Sequence, residues 1–315
     1  MIDTLRFGIL GMLLLGGWGL KPLVADASQD AWLRYAPLDR AVRAKYESLP
    51  RSLVVLGDSA VLRAAQREMI RGVRGTTGKT LHAGKTFQGR AIVLGALAAI
   101  HAAVPGLAPP DPLKADGFWL VTAHVRGFDC LIVTSPTERG VLYGVFALLS
   151  RMARGESISP LNERQQPYAT IRWVDQWDNL NGTIERGYAG SSIFFEKGHV
   201  RADLIRAGAY ARLLASIGIA GCTINNVNAD PRAIDDGFLS QLARIADVFR
   251  PWGVQLAVSV DLSSPKTLGE LDSFDPLDPQ VIEWWRTKVD KIYRQIPDFG
   301  GFVVKADSEG RSGPS

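Results

Sequence analysis

From residue 170 onward the sequence repeats one pattern: a short apolar run ends on a polar residue, and a helical stretch follows. Ile171–Val174 runs into Asp175, Ile219–Ile224 into Asn225, Val254–Val260 into Asp261, and Phe302–Val304 into Lys305 and Asp307. The intervening helical stretches are Ala202–Ser216, Asp236–Phe249 and Pro279–Gln295, the first and last with strong apolar periodicity. Such alternation, with polar residues at the strand ends, is the signature of a parallel β/α barrel. The 146 residues from 170 to 315 supply four strands, whereas an eight-fold barrel needs about 250 residues. The expectation is a barrel cut halfway, because an open four-stranded sheet would expose apolar edges that natural proteins avoid.

The last unit carries the densest chemistry. Gly300 to Gly310 begins as a buried strand, Phe302-Val303-Val304, and ends in charge. Lys305, Asp307 and Glu309 follow at a spacing of two, so an extended backbone would put one cation and two carboxylates on a single face. In α/β barrels that is where catalysis sits. A solvated loop of ordinary Asp, Ser and Gly residues is the other reading of the same stretch.

The preceding region, about 30–160, reads as a small sheet with helices packed on one side. Strands are expected at Ser52–Gly57 and Ala91–Gly95, and a hairpin at Phe118–Ala123 and Cys130–Thr134. Helices are expected at Val61–Ile70, Ala96–Ala103 and Thr137–Arg154, and the Pro-rich stretch Val104–Pro112 is a loop. Gly75-Thr76-Thr77-Gly78-Lys79-Thr80 imitates the tail of a phosphate-binding loop. The position where that motif needs its first glycine is Val73, and a helix rather than a strand precedes it. A mobile glycine-rich surface loop is the better account. The polar run Asn162–Pro167 makes a boundary between the two regions.

Residues 1–27 have the form of a secretory signal. Arg6 precedes the apolar run Phe7–Leu20, and Ala25-Asp26-Ala27 supplies the cleavage pattern. An uncleaved anchor is the alternative, since Asp3 weakens the positive start, but the run is short for a membrane span. The leader has no cysteine, which argues against a lipoprotein. The implied location is the periplasm or the exterior. The net charge of +4 comes from dispersed basic residues with no run of five, which gives a nucleic-acid partner little support. Cys130 and Cys222 fall in strands of different regions and read as buried free thiols. The four histidines are scattered without metal-ligand spacing, so neither a metal nor another cofactor is expected.

The stretch Trp177–Gly190 follows the first barrel strand and is rich in glycine, aromatic and charged residues. Trp177 reads either as a stacking platform for a sugar ring or as a core residue capping the barrel. Asn181-Gly182-Thr183 is a glycosylation sequon, read as accidental because the loop points at the candidate site.

Trp177-Asp178-Asn179, Glu185-Arg186-Gly187-Tyr188-Ala189-Gly190 and Lys305-Ala306-Asp307-Ser308-Glu309-Gly310 resemble motifs of the α-glucuronidases of glycoside hydrolase family 67. The resemblance covers almost the whole mature chain. Glu138-Arg139-Gly140-Val141-Leu142-Tyr143-Gly144 is also similar to the non-catalytic α/β domain that precedes hexosaminidase-type barrels. The resemblance implies an α/β fold: an N-terminal α/β domain at 28–163 and, at 164–315, the first four β/α units of a truncated (β/α)8 barrel. It implies removal of (4-O-methyl-)glucuronic acid from xylose in glucuronoxylan-derived oligosaccharides, with inversion and without a cofactor. Glu309 then matches the general acid, Lys305 a ligand of the uronate carboxylate, Trp177 a stacking residue and Val227 a contact for the 4-O-methyl group. Asp307, Asp178, Asn179 and Asn226, in or beside the same motifs, are further substrate-binding candidates. Burial and Asp307 would raise the Glu309 pKa and Lys305 would lower it. The catalytic base is expected on later strands, beyond Ser315, so the chain alone is expected to be inactive. A homodimer of the longer parent is compatible with this reading. The competing readings are a non-catalytic carbohydrate-binding protein and a retaining hexosaminidase-like hydrolase. The second would need an adjacent Asp-Glu pair, whereas Ser308 separates Asp307 from Glu309.

Overall fold

The computed structural model describes residues 33–86, 89–226, 228–305 and 313. The expected leader at 1–27 and the candidate residues Val227, Asp307 and Glu309 lie outside the described residues.

After a short helix α1 (Arg40–Ala44), the chain builds a mixed sheet from β1 (Ser52–Leu56), β2 (His82–Gly84), β3 (Ala91–Ala96), β4 (Phe118–Val125), β5 (Phe128–Ser135) and β6 (Asn162–Gln165). The order is β2-β1-β3-β5-β4-β6, parallel from β2 to β5 and antiparallel for β4 and β6. Helices α2 (Ala60–Thr77) and α4 (Glu138–Ala153) cover one face, with Leu62, Met69, Val141 and Leu149 packed on Leu53, Ile92 and Val133. Ser59 and Thr137 cap these helices by accepting from Leu62 N and Gly140 N. Gly140 and Gly144 let α4 lie close to the sheet: a Cβ on the first would fall 2.0 Å from Ser135 Oγ, and on the second 2.6 Å from Val133 Cγ1.

Two features differ from the sequence reading. Helices cover both faces rather than one: α3 (Leu97–Ala103) and the loop after it lie over Val54, Val93 and Ile132. Central parallel strands are apolar at both parities, so both faces need cover. The Gly75–Thr80 stretch is not a mobile loop, because α2 continues to Thr77. Thr76 and Thr77 are buried, and their hydroxyls donate to Gly72 O and Val73 O at 2.7 Å each. Gly78 ends the helix at φ 77°, in the left-handed region that glycine enters most cheaply. In the polar run that follows α4, β6 pairs with β4 through Asn162↔Val121 to Gln165↔Phe118.

The second sheet is parallel throughout and forms a half-barrel. Strands β7 (Trp173–Asp175), β10 (Gly221–Ile224), β11 (Gln255–Asp261) and β12 (Gly301–Lys305) lie side by side in chain order. Between β7 and β10 come the hairpin β8 (Phe195–Glu196) and β9 (His199–Val200), then helix α5 (Ile205–Ser216). Helix α6 (Leu239–Phe249) joins β10 to β11; α7 (Ser264–Gly269) and α8 (Pro279–Gln295) join β11 to β12. Cys222, Ile224, Leu256, Val258 and Val260 face these helices, in one core with Leu214, Leu242, Ile245, Phe249 and Ile292. The opposite parity therefore lines the concave side. At its amino end Trp173 lies across the strands, where a Cβ on Gly221 or Gly300 would meet its ring at 2.2 and 2.4 Å. Both cysteines are buried free thiols, as expected.

Buried ion pairs join the two sheet regions. Glu68 on α2 has no exposed surface and accepts from Arg212 of α5 at 2.6 and 2.9 Å and from Tyr35 Oη at 2.5 Å. Asp116 accepts from Arg139 at 2.9 Å through each oxygen and from Arg172, just before β7, at 2.6 Å. Removing one partner of a buried pair leaves an uncompensated charge. Arg212→Ala is expected to destabilise the protein by about 3–5 kcal/mol in urea unfolding; a loss within about 1 kcal/mol, the scale of a surface pair, would show that the pair does not hold the two regions together. Asp116 adds a pH dependence. Burial alone would raise its carboxyl, but hydrogen bonds and charge from Arg139 and Arg172 outweigh burial and hold it below its ordinary 3.8. Its contribution is therefore complete above that value and is lost as the pH falls through the lower folded value. Asp116→Asn should flatten the acid limb of the stability profile below about pH 4; an unchanged limb would refute the assignment.

Candidate active site

The candidate site is the concave face of the half-barrel at the carboxyl ends of its strands. Register sets the layout. Asp261 pairs laterally with Lys305, and Asp175 with Thr223. Phe302 packs toward the helices, so Gly301, Val303 and Lys305 take the concave parity. Ala257, Ser259 and Asp261 do the same on β11, and Trp173 and Asp175 on β7. One cation is thereby set among carboxylates from two other strands. Burial raises the Asp175 carboxyl, and the charge of Lys305 draws it back down. Asp175 is open to solvent as a residue, yet the Asn226 amide bonded to its Oδ2 crowds the carboxyl.

Asn225 turns the chain at the end of β10. Its φ is 62°, a conformation that asparagine tolerates better than most residues. Its Nδ2 donates to Asp230 O at 3.0 Å and Ser259 O at 3.2 Å, tying β10 to β11. Asn225 Oδ1, Asn226 Oδ1 and Ser259 Oγ are buried without a hydrogen-bond partner among the described residues. Buried polar atoms of this kind call for water or ligand hydroxyls. Asp261 Oδ1 accepts from Ser263 N and Oγ at 2.9 Å each, which shapes the turn into α7.

The loop after β7 is folded tightly around Asp178. Gln176 Nε2 donates to its Oδ2 at 2.7 Å and Ile193 N to its Oδ1 at 2.9 Å, while its backbone oxygen accepts from Asn225 N at 3.0 Å. Burial pushes the Asp178 carboxyl up, against hydrogen bonds from Ser192, Gln176, Ile193 and Phe194. Tyr210 Oη on α5 donates to Gln176 Oε1 at 2.8 Å, and Trp177 O accepts from Glu185 N at 2.8 Å. Asn179 donates to Glu185 O at 2.5 Å and accepts from Asn228 N at 3.1 Å.

The structure thus separates the sequence candidates. Lys305, Asn226 and Trp177 stand at the strand ends, Trp177 with 43% of its surface exposed, so it is not a core residue. Asp178 and Asn179, expected as substrate ligands, have no exposed surface and spend their side chains on the loop. Short polar side chains in a turn-rich stretch hydrogen-bond nearby backbone before they reach a ligand. Asp175 and Asp261 were marked in the sequence only as strand ends; their two-residue alternation with the strand interior was the signal that they face the concave side. A cleft of about 410 Å³ lined by Tyr143, Arg151, Arg172 and Ile217 lies at the other end of the strands, between the two regions. Among the described residues no group of three or more His, Cys, Asp or Glu is arranged to hold a metal ion.

The sequence model for the glycosyl hydrolase family 67 middle domain matches residues 151–315, and that for the family 67 N-terminus matches residues 31–148. An alpha-glucuronidase of Hypocrea jecorina is 44% identical over 97% of this chain and 37% of its own length. A probable alpha-glucuronidase A of Aspergillus oryzae is 42% identical over 98% of this chain and 36% of its own. The chain spans little more than a third of these curated relatives, 37% and 36%. Among solved structures, a family GH115 4-O-methyl-alpha-glucuronidase superposes with a TM-score of 0.57 at 12% identity, over 84% of this chain and 37% of that one. A GH138 enzyme targeting pectin rhamnogalacturonan II gives 0.52 at 14% identity, over 80% and 30%. At such identities the likeness concerns the fold alone.

The Asp178 network makes a local prediction. Asp178→Ala leaves the Ile193 N–H and the Gln176 amide without their acceptor, at about 1–3 kcal/mol for a buried donor. Amide hydrogen exchange at Ile193 should accelerate while exchange in α4 stays unchanged. Equal protection at Ile193 in the variant would mean that the carboxylate does not hold the loop.

Proposed function

This chain belongs to glycosyl hydrolase family 67, and we propose that it carries the acid-side half of the active site of an α-glucuronidase. The reaction is hydrolysis of the α-1,2 bond between (4-O-methyl-)glucuronic acid and xylose in oligosaccharides derived from glucuronoxylan. The observation that supports this reading most directly is Lys305 on the concave face beside Asp261 and within electrostatic reach of Asp175. A uronate brings a permanent negative charge, and a lysine ammonium binds it by a charge-assisted hydrogen bond. Competing carboxylates beside Lys305 keep that ammonium from being an unselective anion trap.

Roles follow from position. Trp177 offers its ring face to the sugar. Asn226 and Asp175, joined by a hydrogen bond, address ring hydroxyls, and the unpartnered Asn225, Asn226 and Ser259 oxygens give that side acceptors. Asp178 and Asn179 act from behind by holding the loop that presents Trp177. Glu309 and Asp307 belong to the motif that continues β12, with Glu309 as general acid, and Val227 follows Asn226 as the contact for the 4-O-methyl group. Inversion needs a second carboxylate about 6.5–9.5 Å from the acid to activate water. The domain division proposed is a signal peptide at 1–27, a non-catalytic α/β domain at 28–163 and barrel units from 164 to 315. Residues 1–27 carry the proposal of export. No helix among the described residues is long and apolar enough to cross a membrane.

Leaving-group dependence tests the acid. A xylose hydroxyl departs poorly and needs a proton as the bond breaks, whereas a nitrophenolate needs little help. In the full-length protein Glu309→Ala should slow an aldouronic acid by about 10²–10⁴-fold, the usual scale for a positioned acid, and a nitrophenyl glucuronide far less. Lys305→Ala should weaken both substrates alike, because both carry the same carboxylate. Equal slowing of the two substrates by Glu309→Ala would remove Glu309 from the acid role.

A further inference from the structure

Helix α2 has 18 residues, and only four of them are exposed: Arg63, Arg67, Arg71 and Arg74. At about 100° per residue these positions fall within an arc of about 80°, and at 1.5 Å per residue the ridge is about 16 Å long. The rest of the helix is committed elsewhere. Leu62, Met69 and Val73 pack on the first sheet, Glu68 binds Arg212, and Gly72 lies against Leu149. The ridge is poorly neutralised. Arg63 pairs with Asp58, and both are largely exposed. Arg71 lies 3.8 Å from Glu68, a carboxylate already bonded to Arg212 and Tyr35. Arg67 and Arg74 have no ion pair among the described residues.

We propose that the arginine ridge of α2 is a docking surface for an acidic polysaccharide, and that it holds uronate side groups of a polymer away from the reacting centre. Guanidinium groups bind carboxylates through two parallel N–H donors, a geometry that selects planar anions. Several such groups in a row suit a polymer with repeated charge and give no advantage with a single uronate. Two other polyanions are disfavoured by what the ridge lacks. No aromatic residue lies on it to stack with bases. None of the protein's exposed large apolar side chains belongs to α2, so nothing there would enter a lipid surface. The choice of a uronate polymer rests on the functional reading above.

Affinity electrophoresis of the full-length protein tests this, with glucuronoxylan in the gel. The control polymer is the same xylan after its carboxylates are reduced to alcohols. Glucuronoxylan should retard the protein, the control polymer should not, and retardation should vanish in about 0.5 M salt, where the Debye length falls to a few ångströms. The double substitution Arg67→Glu with Arg74→Glu should weaken the affinity by about tenfold or more, since it reverses two of four contacts. Its melting temperature should be unchanged, because both side chains are solvent-exposed. Turnover of a short aldouronic acid should also be unchanged, which separates failure of the ridge from failure of the glucuronidase reading. Equal retardation of the variant and the original protein, or equal retardation by the reduced polymer, would overturn the proposal. So would tighter binding to duplex DNA or to phosphatidylglycerol vesicles than to glucuronoxylan.

Discussion

A single carboxylate organises the relation between the two sheets. Glu68 is withdrawn from water entirely and survives there because Arg212 gives it two N–H bonds and Tyr35 an O–H bond. Such a group tolerates few arrangements: moving α5 away from α2 would strand it without a partner. The same constraint selects the face of α2 that remains in water. With Glu68 turned toward α5 and the apolar residues toward the first sheet, the leftover arc falls on the four arginines. Burial of Glu68 and exposure of the ridge are two consequences of one helix orientation. A second anchor, Asp116 between Arg139 and Arg172, acts at the base of β7. The two anchors together resist rotation as well as separation, and so they hold the base of the strand that leads into the Trp177 loop.

Above that base, polar groups gather on the concave face. The helix-facing parity of the second sheet is nearly all apolar, and the concave parity carries Asp175, Thr223, Asn225, Ser259, Asp261 and Lys305. Concentrating these groups has a cost. Burial raises the Asp175 and Asp178 carboxyls, and the Asn225, Asn226 and Ser259 side-chain oxygens have no hydrogen-bond partner among the described residues. The outer core, where Phe194, Phe249, Leu242 and Ile292 meet, supplies the compensating burial. The apolar core lies on one side of the strands and the polar groups on the other.

Much of this was legible because local signals agreed. Helix α8 spans Pro279–Gln295 as read, since Asp278 caps it, Pro279 suits its first turn and its apolar residues recur at helical spacing. The four strands of the half-barrel were each found within a few residues. What escaped notice depended on partners far away in sequence. Glu68 and Arg212 are 144 residues apart, and nothing local marks either as buried. Helix α2 was cut short at Ile70 because Gly72, Gly75 and two threonines suggest a loop; packing against α4 and the threonine hydroxyl bonds carry it on to Thr77. At the site, motif position could not separate Trp177 from its neighbours Asp178 and Asn179. Only the fold of the loop shows that one faces solvent and two face inward.

That division bears on how much a fold says about a reaction. The GH115 and GH138 structures share this architecture at 12% and 14% identity, so the fold tolerates widely different sequences. A fold of this type fixes where chemistry can happen, and the identity of the end residues fixes which chemistry it is. Strand β12 holds both kinds of position. On β12, Phe302 could be exchanged for another large apolar residue with little consequence beyond packing. Lys305, three positions later and of the opposite parity, meets no apolar core. Its ammonium is instead set beside Asp261 and within electrostatic reach of Asp175. Under the proposed reading a uronate would pair with that ammonium, and its hydroxyls would meet the Asn225 and Asn226 oxygens, which have no hydrogen-bond partner among the described residues. On that reading charge and hydroxyl recognition come from different strands, and neither alone would distinguish a uronate from any other polar solute.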